Sequence, residues 1–343
     1  MATILIPLRG AMLVTTIDYH TAGEPFRIVT GGVGPIRGAT MLDKRRYAAE
    51  HLERVRQLLI HEPRGHADMY GCFVTEPEDD GADLGILFFH NAGYSTACGH
   101  GTIAIATAAV ETAMLPHGEP ETQLVLDVPS GRLVATVEVL GGRVTRARFR
   151  NVPSFVFAEG IEVATATRGP VDADIAYGGA FYAFVDATAL GLEVVPANLG
   201  AFIELGREVK QAIEREHDVA HPLEAELRDV YGVVFVQVEM DGAGRRERNV
   251  AIFADGEVDR SPCGSGTSAR LALLDARGEL ARGATLVNAS VVGTEFEARV
   301  VDYAEVAGMR AVVPEVAGSA HLTGFHQFVL EDDDPLGTGF LLR

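Results

Sequence analysis

The chain has 343 residues, 47% hydrophobic and 22% charged, with a formal net charge of -19. The length sets a prior of two domains and the composition is ample for a buried core, while no apolar run reaches the roughly 18–20 residues of a membrane-spanning helix. The acidic balance argues against nucleic acid and anionic membrane surfaces, which need a basic footprint, but leaves room for a small anion held by backbone amides.

At the N-terminus, MATILIPLRGAML has a short apolar patch but no basic flank, long apolar core or small-residue cleavage site. It reads as an extension ahead of a domain starting near Met12, not as a signal peptide. LVTTIDYHTA and FRIVTGGV are strands, β-branched and broken by Gly and Pro. DKRRYAAEHLERVRQLLI spaces its apolar residues as one amphipathic helix. DMYGCFVT and DLGILFFH are strands, and ACGHGTIAIATAAVETAM passes through glycines into a helix-forming run. TQLVLDVP, RLVATVEVL and VTRARFRNV are strands, with a hairpin turn at VPSGRL.

From about residue 165 the same elements recur. IAYGGAFYAFVDA reads as a strand interrupted by Gly-Gly, and NLGAFIELGREVKQAIERE as a second amphipathic helix. VYGVVFVQVEM and RNVAIFADG are strands, and PCGSGTSARLALLDARGEL is again a glycine turn entering a helix. EFEARVVDY and MRAVVPEVAG are further strands. The recurrence points to an internal duplication in an α/β chain, with halves at 12–165 and 166–324.

Three cysteines cannot build a disulfide framework and fit a reducing, cytoplasmic setting. Two of them, Cys98 and Cys263, sit in near-copies of one motif, Cys-Gly-x-Gly-Thr-x-Ala, about half the chain apart. Each should lie on the turn into a helix, where free N–H groups and the helix dipole favour a thiolate and can hold a carboxylate. If the halves face each other, two sulfurs flank one small ligand. One thiolate can then remove a Cα proton from one face while the opposing thiol protonates the other, inverting the centre. The two helix ends would stabilise the enediolate, so this chemistry needs no cofactor.

Other readings of these residues are weaker. Cys72, in MYGCFVT, reads as a small core residue. There is no Cys-x-x-Cys pair, and His20, His66, His90 and His100 show no zinc-ligand spacing with the cysteines. GHGTIA and GSGTSA match the dinucleotide pattern Gly-x-Gly-x-x-Ala, but no regular βαβ train surrounds either.

DYHTAGEPFRIVTGG, EPRGHADMYG, GYSTACGHGTIA, DIAYGGAFYAFVD, FADGEVDRSPCGSGTSAR and the tail EDDDPLGTGFLL resemble the proline racemase family over nearly the whole chain. That family includes hydroxyproline 2-epimerases and trans-3-hydroxyproline dehydratases. The resemblance implies the diaminopimelate epimerase fold, two pseudo-symmetric domains each with a sheet wrapped around a central helix. It places the active site between them, without pyridoxal phosphate, and returns residues 325–343 to the first domain. It makes Cys98 and Cys263 the catalytic pair. Backbone amides at Gly99, His100, Gly264 and Ser265 would hold the substrate carboxylate, and the His100 and Asp259 side chains would contact its amine. Tyr70 and Phe253 would close over the ring, and His20 and Glu24 would be structural. A homodimer is compatible with the family.

GYST, AYGGAFYAF and EPRGHADMYG look most like the dehydratase branch, which typically carries Thr where this chain has Cys263. Dehydration needs no strong acid on the opposite face of Cα, whereas inversion does. With both cysteines present, the expected activity is racemisation of proline or 2-epimerisation of hydroxyproline, with trans-3-hydroxyproline dehydration as the alternative and non-catalytic capture of an amino acid as a third reading. A ring hydroxyl would need a buried polar partner, for which Tyr70 and the Ser95–Thr96 region are candidates. Ala180 stands where the family usually has Asn.

Overall fold

The structure is a computed structural model that describes residues 11–241 and 244–342, so the first ten residues of the apolar N-terminal patch lie outside it. The first half runs β1 (Ala11–Thr21), β2 (Glu24–Gly31), α1 (Met41–His51), α2 (Glu53–Ile60), β3 (Tyr70–Thr75), β4 (Leu84–His90) and β5 (Gly93–Tyr94). It continues through α3 (Gly99–Glu111), β6 (Glu121–Val128), β7 (Gly131–Leu140) and β8 (Arg143–Arg150). Next come β9 (Ser154–Thr165), β10 (Gly169–Tyr177), β11 (Phe181–Asp186), α4 (Leu199–Glu216), β12 (Val230–Asp241), β13 (Gly244–Phe253) and β14 (Glu257–Asp259). The chain ends with α5 (Gly264–Ala276), β15 (Leu286–Ser290), β16 (Glu295–Val306), β17 (Met309–Gly318) and β18 (Ala320–Glu331).

The duplication is explicit in the strand pairing. β1–β2 is antiparallel, β2–β3 parallel, β3–β4 antiparallel, β4–β6 parallel, and β6–β7–β8 antiparallel. β10–β11, β11–β12, β12–β13, β13–β15 and β15–β16–β17 repeat that series pair for pair. Each parallel pair needs a crossover, which helices supply: α1 and α2 or α4 for the first, α3 or α5 for the second. β9 lies antiparallel on β10, just as β18 lies antiparallel on β1.

β9, which ends at the 165/166 boundary expected from the sequence, pairs with β10 and with the start of β17, and β18 pairs with β1. The sequence hides the affiliation of β9 because its register with β10 shifts near Gly160, which has φ 61°, and the apolar alternation breaks there. β17 joins the halves, pairing with β9 near its start and with β8 near its end.

Two other segments differ from the sequence reading. The single helix expected over 43–60 breaks at Leu52, where φ is -114° and ψ 8°, giving α1 and α2. IAYGGAFYAFVDA is two strands, with Tyr177 opposite Phe181 across the glycine turn. Gly178 is needed there, since a Cβ would lie 2.3 Å from the Ser265 carbonyl oxygen.

α3 is buried on every side from Gly99 to Val110, and α5 from Gly264 to Leu274. Helices apolar all round belong inside, and their Ala, Gly and Thr residues let the surrounding strands approach closely. α4 instead buries one stripe, Phe202, Leu205, Val209, Ala212 and Ile213, against the second half. No helix among the described residues is long and apolar enough to cross a membrane.

The central helices meet end to end at their N-termini. A Cβ on Gly99 would lie 2.5 Å from the Gly264 Cα, and one on Gly264 would lie 2.7 Å from the Gly99 Cα. Only backbone fits between them. Gly99→Ala and Gly264→Ala should each lower stability by about 1–3 kcal/mol through overpacking. Gly200→Ala, in α4 with nothing within 4 Å of the added carbon, should raise it by about 0.4–1 kcal/mol. Urea midpoints of the three variants measured side by side test both signs.

Candidate active site

Each residue of the repeated motif has a local job in the structure. Cys98 is the N-cap of α3, with extended backbone at φ -154°, and its Sγ accepts the Gly101 N–H at 3.2 Å. The sulfur lies over the helix end only because Gly101 has no side chain, since a Cβ there would lie 2.7 Å from Sγ. Gly266 makes the same room in α5, where a Cβ would lie 2.9 Å from the Cys263 Sγ. The motif threonines bond back to the turn, Thr102 Oγ1 to the Cys98 carbonyl at 2.8 Å and Thr267 Oγ1 to the Pro262 carbonyl at 2.9 Å.

Cys263 caps α5 with φ at 58°, a left-handed conformation that costs a non-glycine residue roughly 1–3 kcal/mol and persists only when its surroundings impose it. Its own N–H donates to Ser261 Oγ at 3.1 Å, and the Ser261 N–H donates to Asp259 Oδ1 at 2.8 Å.

Between the helix ends lies a small cavity of about 10 Å³, lined by Tyr70, Cys98, Gly99, His100, Phe253, Asp259, Cys263, Gly264 and Ser265 together with Ala97, Tyr182 and Tyr231. Every candidate site residue read from the sequence is thus brought to one place. Tyr182 and Tyr231 were not anticipated. Tyr182 shares a hydrogen bond with Ser265, oxygen to oxygen 2.7 Å. Tyr231 joins its hydroxyl to that of Tyr70 at 2.9 Å, and Tyr70 also bonds Ser95. The Tyr231 ring stacks on Phe253, centroids 5.5 Å apart. A signal for Tyr231 was available: DVYG at 229–232 repeats DMYG at 68–71, and both aspartates have positive φ, 64° and 66°. Tyr231 also lines an outer cavity of about 620 Å³, together with Ser95, Thr96 and Ala180.

Burial sets the electrostatics. His100, both ring nitrogens 3.5 Å from the Cys98 Sγ, is driven down to about 3 by burial and then by Arg260, so its imidazole is neutral. Asp259 is raised to about 6 by burial, moderated by Ser261. Both thiols are raised well above their ordinary value. Burial is the main cause for each, with the Asp259 carboxylate adding to it, while the Gly101 N–H pulls Cys98 the other way. The thiolate tendency expected from the helix ends is therefore reversed: a dry cavity and a nearby carboxylate outweigh the dipole.

Glu24 and His20 fall differently. Glu24 is fully buried and accepts the Arg260 N–H at 2.7 Å, tying the first half to the residue after Asp259. Thr21 Oγ1 in the same segment donates to the His100 carbonyl at 2.9 Å. His20 lies outside the cavity, its ring centroid 5.2 Å from that of His321. Cys72 is buried in the first-half core, and all three cysteines are free thiols. Among the described residues, no three His, Cys, Asp or Glu side chains are placed to share a metal ion.

Relatives of known name match the chain along nearly their whole length. The chain is 46% identical over 330 residues to a 3-hydroxyproline 2-epimerase of Burkholderia multivorans, covering 96% of this chain and 98% of that protein. It is 45% identical over 335 residues to a trans-3-hydroxy-L-proline dehydratase of Bacillus cereus, covering 98% and 100%. Its fold superposes with a TM-score of 0.90 on the crystal structure of a hydroxyproline epimerase from Agrobacterium vitis with bound trans-4-OH-L-proline, at 33% identity over 96% of each chain. The architecture is accordingly diaminopimelate epimerase-like. The proline racemase family profile matches residues 16–341, and the chain belongs to the proline racemase family.

Proposed function

We propose that this chain is a racemase or 2-epimerase that inverts Cα of proline or a hydroxyproline, using Cys98 and Cys263 as its acid–base pair and no cofactor. The observation that carries this reading is the convergence of two cysteine-capped helix N-termini on one small cavity lined by buried residues. A carboxylate placed there meets unused N–H groups of Gly99, His100, Gly264 and Ser265. Those donors suit an enediolate better than a ground-state carboxylate, because charge grows on the oxygens as the proton leaves. Asp259 faces the substrate amine, and its carboxyl, near 6, is ionised at neutral pH.

At rest both thiols are protonated, for the reasons of burial and charge given above. An arriving ammonium beside Asp259 offsets that carboxylate and lets one thiol ionise, its proton passing to solvent before the ring fills the site. One sulfur then takes the Cα proton and the other returns a proton to the opposite face. The cavity has room for about one water, so Tyr70, Phe253 and Tyr231 have to shift to admit a ring. The hydroxyls of Tyr70, Ser95 and Tyr231 supply a buried polar partner for a hydroxylated ring and favour a hydroxyproline.

Dehydration of trans-3-hydroxy-L-proline is the second reading, supported by the name of the Bacillus cereus relative. Proton NMR in D2O separates the possibilities, with L-proline, trans-4-hydroxy-L-proline and trans-3-hydroxy-L-proline offered singly. Inversion shows as loss of the Cα proton signal with growth of the opposite epimer. Loss of the 3-hydroxy substrate to a cyclic imine would establish dehydration instead, and binding without exchange would mean capture alone.

Cys98→Ser and Cys263→Ser should each lower inversion by about a hundredfold or more. Wild-type turnover in both would exclude the two-thiol mechanism. kcat/KM should fall as pH drops through about 6, because a protonated Asp259 no longer pairs with the ammonium. In Asp259→Asn that acid limb should vanish, with kcat/KM at neutral pH down by about tenfold or more.

A further inference from the structure

The peptide unit between Pro262 and Cys263 is held at both poles. Its N–H donates to Ser261 Oγ at 3.1 Å. Its carbonyl oxygen accepts from Asn249 Nδ2 at 2.9 Å, Asn288 Nδ2 at 3.4 Å and Thr267 Oγ1 at 2.9 Å. Asn288 Nδ2 also donates to Thr267 Oγ1 at 2.8 Å. Both asparagines are buried, 2% and 1% exposed. Their amide orientation follows from chemistry, since a carbonyl can only accept and the amide NH2 must face it. Each amide oxygen is left without a hydrogen-bond partner among the described residues. A half-satisfied buried amide is a poor stabiliser, so its donor end calls for another explanation.

The first half has no such clamp. Gly71 faces Phe89 as Gly232 faces Phe253, so the register places Gly85 where Asn249 stands in the second half. Gly85 faces Asp127 as Asn249 faces Ser290, so Val125 stands where Asn288 does. Neither Gly nor Val has a side-chain donor. The carbonyl before Cys98 accepts Ser95 Oγ at 3.3 Å, and Cys98 is extended. The clamp and the left-handed Cys263 occur together, in one half only.

We propose that Asn249 and Asn288 are positioning residues for Cys263. By fixing the Pro262–Cys263 peptide plane they hold Cys263 at its left-handed φ and so aim Sγ at one face of the substrate Cα, while Cys98 needs no equivalent. This rests on the two-thiol reading above, and it makes the two half-reactions separable.

The test uses Asn249→Leu, Asn288→Leu and the double variant, which keep the branched heavy-atom shape and remove both the donor and the orphan oxygen. Cα–H exchange in D2O is followed from each enantiomer of the substrate found by NMR. The face served by Cys263 is identified as the enantiomer whose exchange is lost in Cys263→Ser. Thermal midpoints of the leucine variants should stay near wild type. Exchange of the Cys263-face enantiomer should fall by about tenfold or more, since a displacement near 1 Å can cost about a hundredfold, while exchange of the other enantiomer stays within about twofold. Equal loss for both enantiomers, loss that tracks the thermal midpoint, or no loss in any variant would overturn the proposal. If wild type exchanges neither enantiomer, the two-thiol reading itself fails, which is a distinct outcome.

Discussion

Backbone contact between the N-termini of α3 and α5 is the constraint around which the molecule is arranged. Helix ends carry free N–H groups and partial positive charge, so pressing two of them together is unfavourable unless something negative lies between. Gly99 and Gly264 allow the approach, and no other side chain would leave the Cα atoms where they are. The rest of the architecture holds the two ends in place. Each helix is sheathed in strands, β17 runs through both halves, and Glu24 and Arg260 lock the turns beside the cavity. What forms is a place where small anionic carboxylate chemistry is favoured before any side chain is considered.

That place is dry, and dryness overrides the simpler electrostatic expectation. A thiol at a helix end ordinarily ionises more easily. Here burial pushes both thiols up, pushes Asp259 up to about 6 and His100 down to about 3, so each group is moved toward neutrality. Under the proposed function, the charges of the site are stabilised when the ligand brings complementary ones, an ammonium for Asp259 and a carboxylate for the helix ends.

The sequence showed this site clearly because the motif is short, repeated and made of residues with few alternative uses. Glycine after cysteine and glycine two further on had to mean close backbone approach, and both prove to be steric requirements, one for the opposing helix and one for the sulfur. Tyr231 escaped notice because its four-residue repeat differs at Met69 and Val230, and aromatic residues in strands ordinarily read as core. β9 escaped because a bulge at Gly160 breaks its alternation. The direction of the thiol shifts was illegible for a different reason. A helix end can be read from spacing, but the exclusion of water depends on Tyr70, Tyr182, Tyr231 and Phe253 arriving from four separate strands.

The duplication also explains where the halves differ. Inversion at a carbon asks for one acid–base group on each face, and a pseudo-twofold fold provides two for the same design. In the proposed reaction the carboxylate would lie near the axis and be served equally from both sides, which fits the retention of Cys-Gly-x-Gly-Thr in both copies. The amine and the ring of the substrate obey no such symmetry. Divergence falls on the residues that would meet them: His100 against Ser265 within the motif, and Asp259 against Tyr94 four residues before each cysteine. The Asn249 and Asn288 clamp belongs to the same pattern, since a second sulfur that must match an asymmetric ligand cannot sit exclusively where the dyad would put it. The strained backbone at Cys263, with extended backbone at Cys98, is the structural trace of that mismatch.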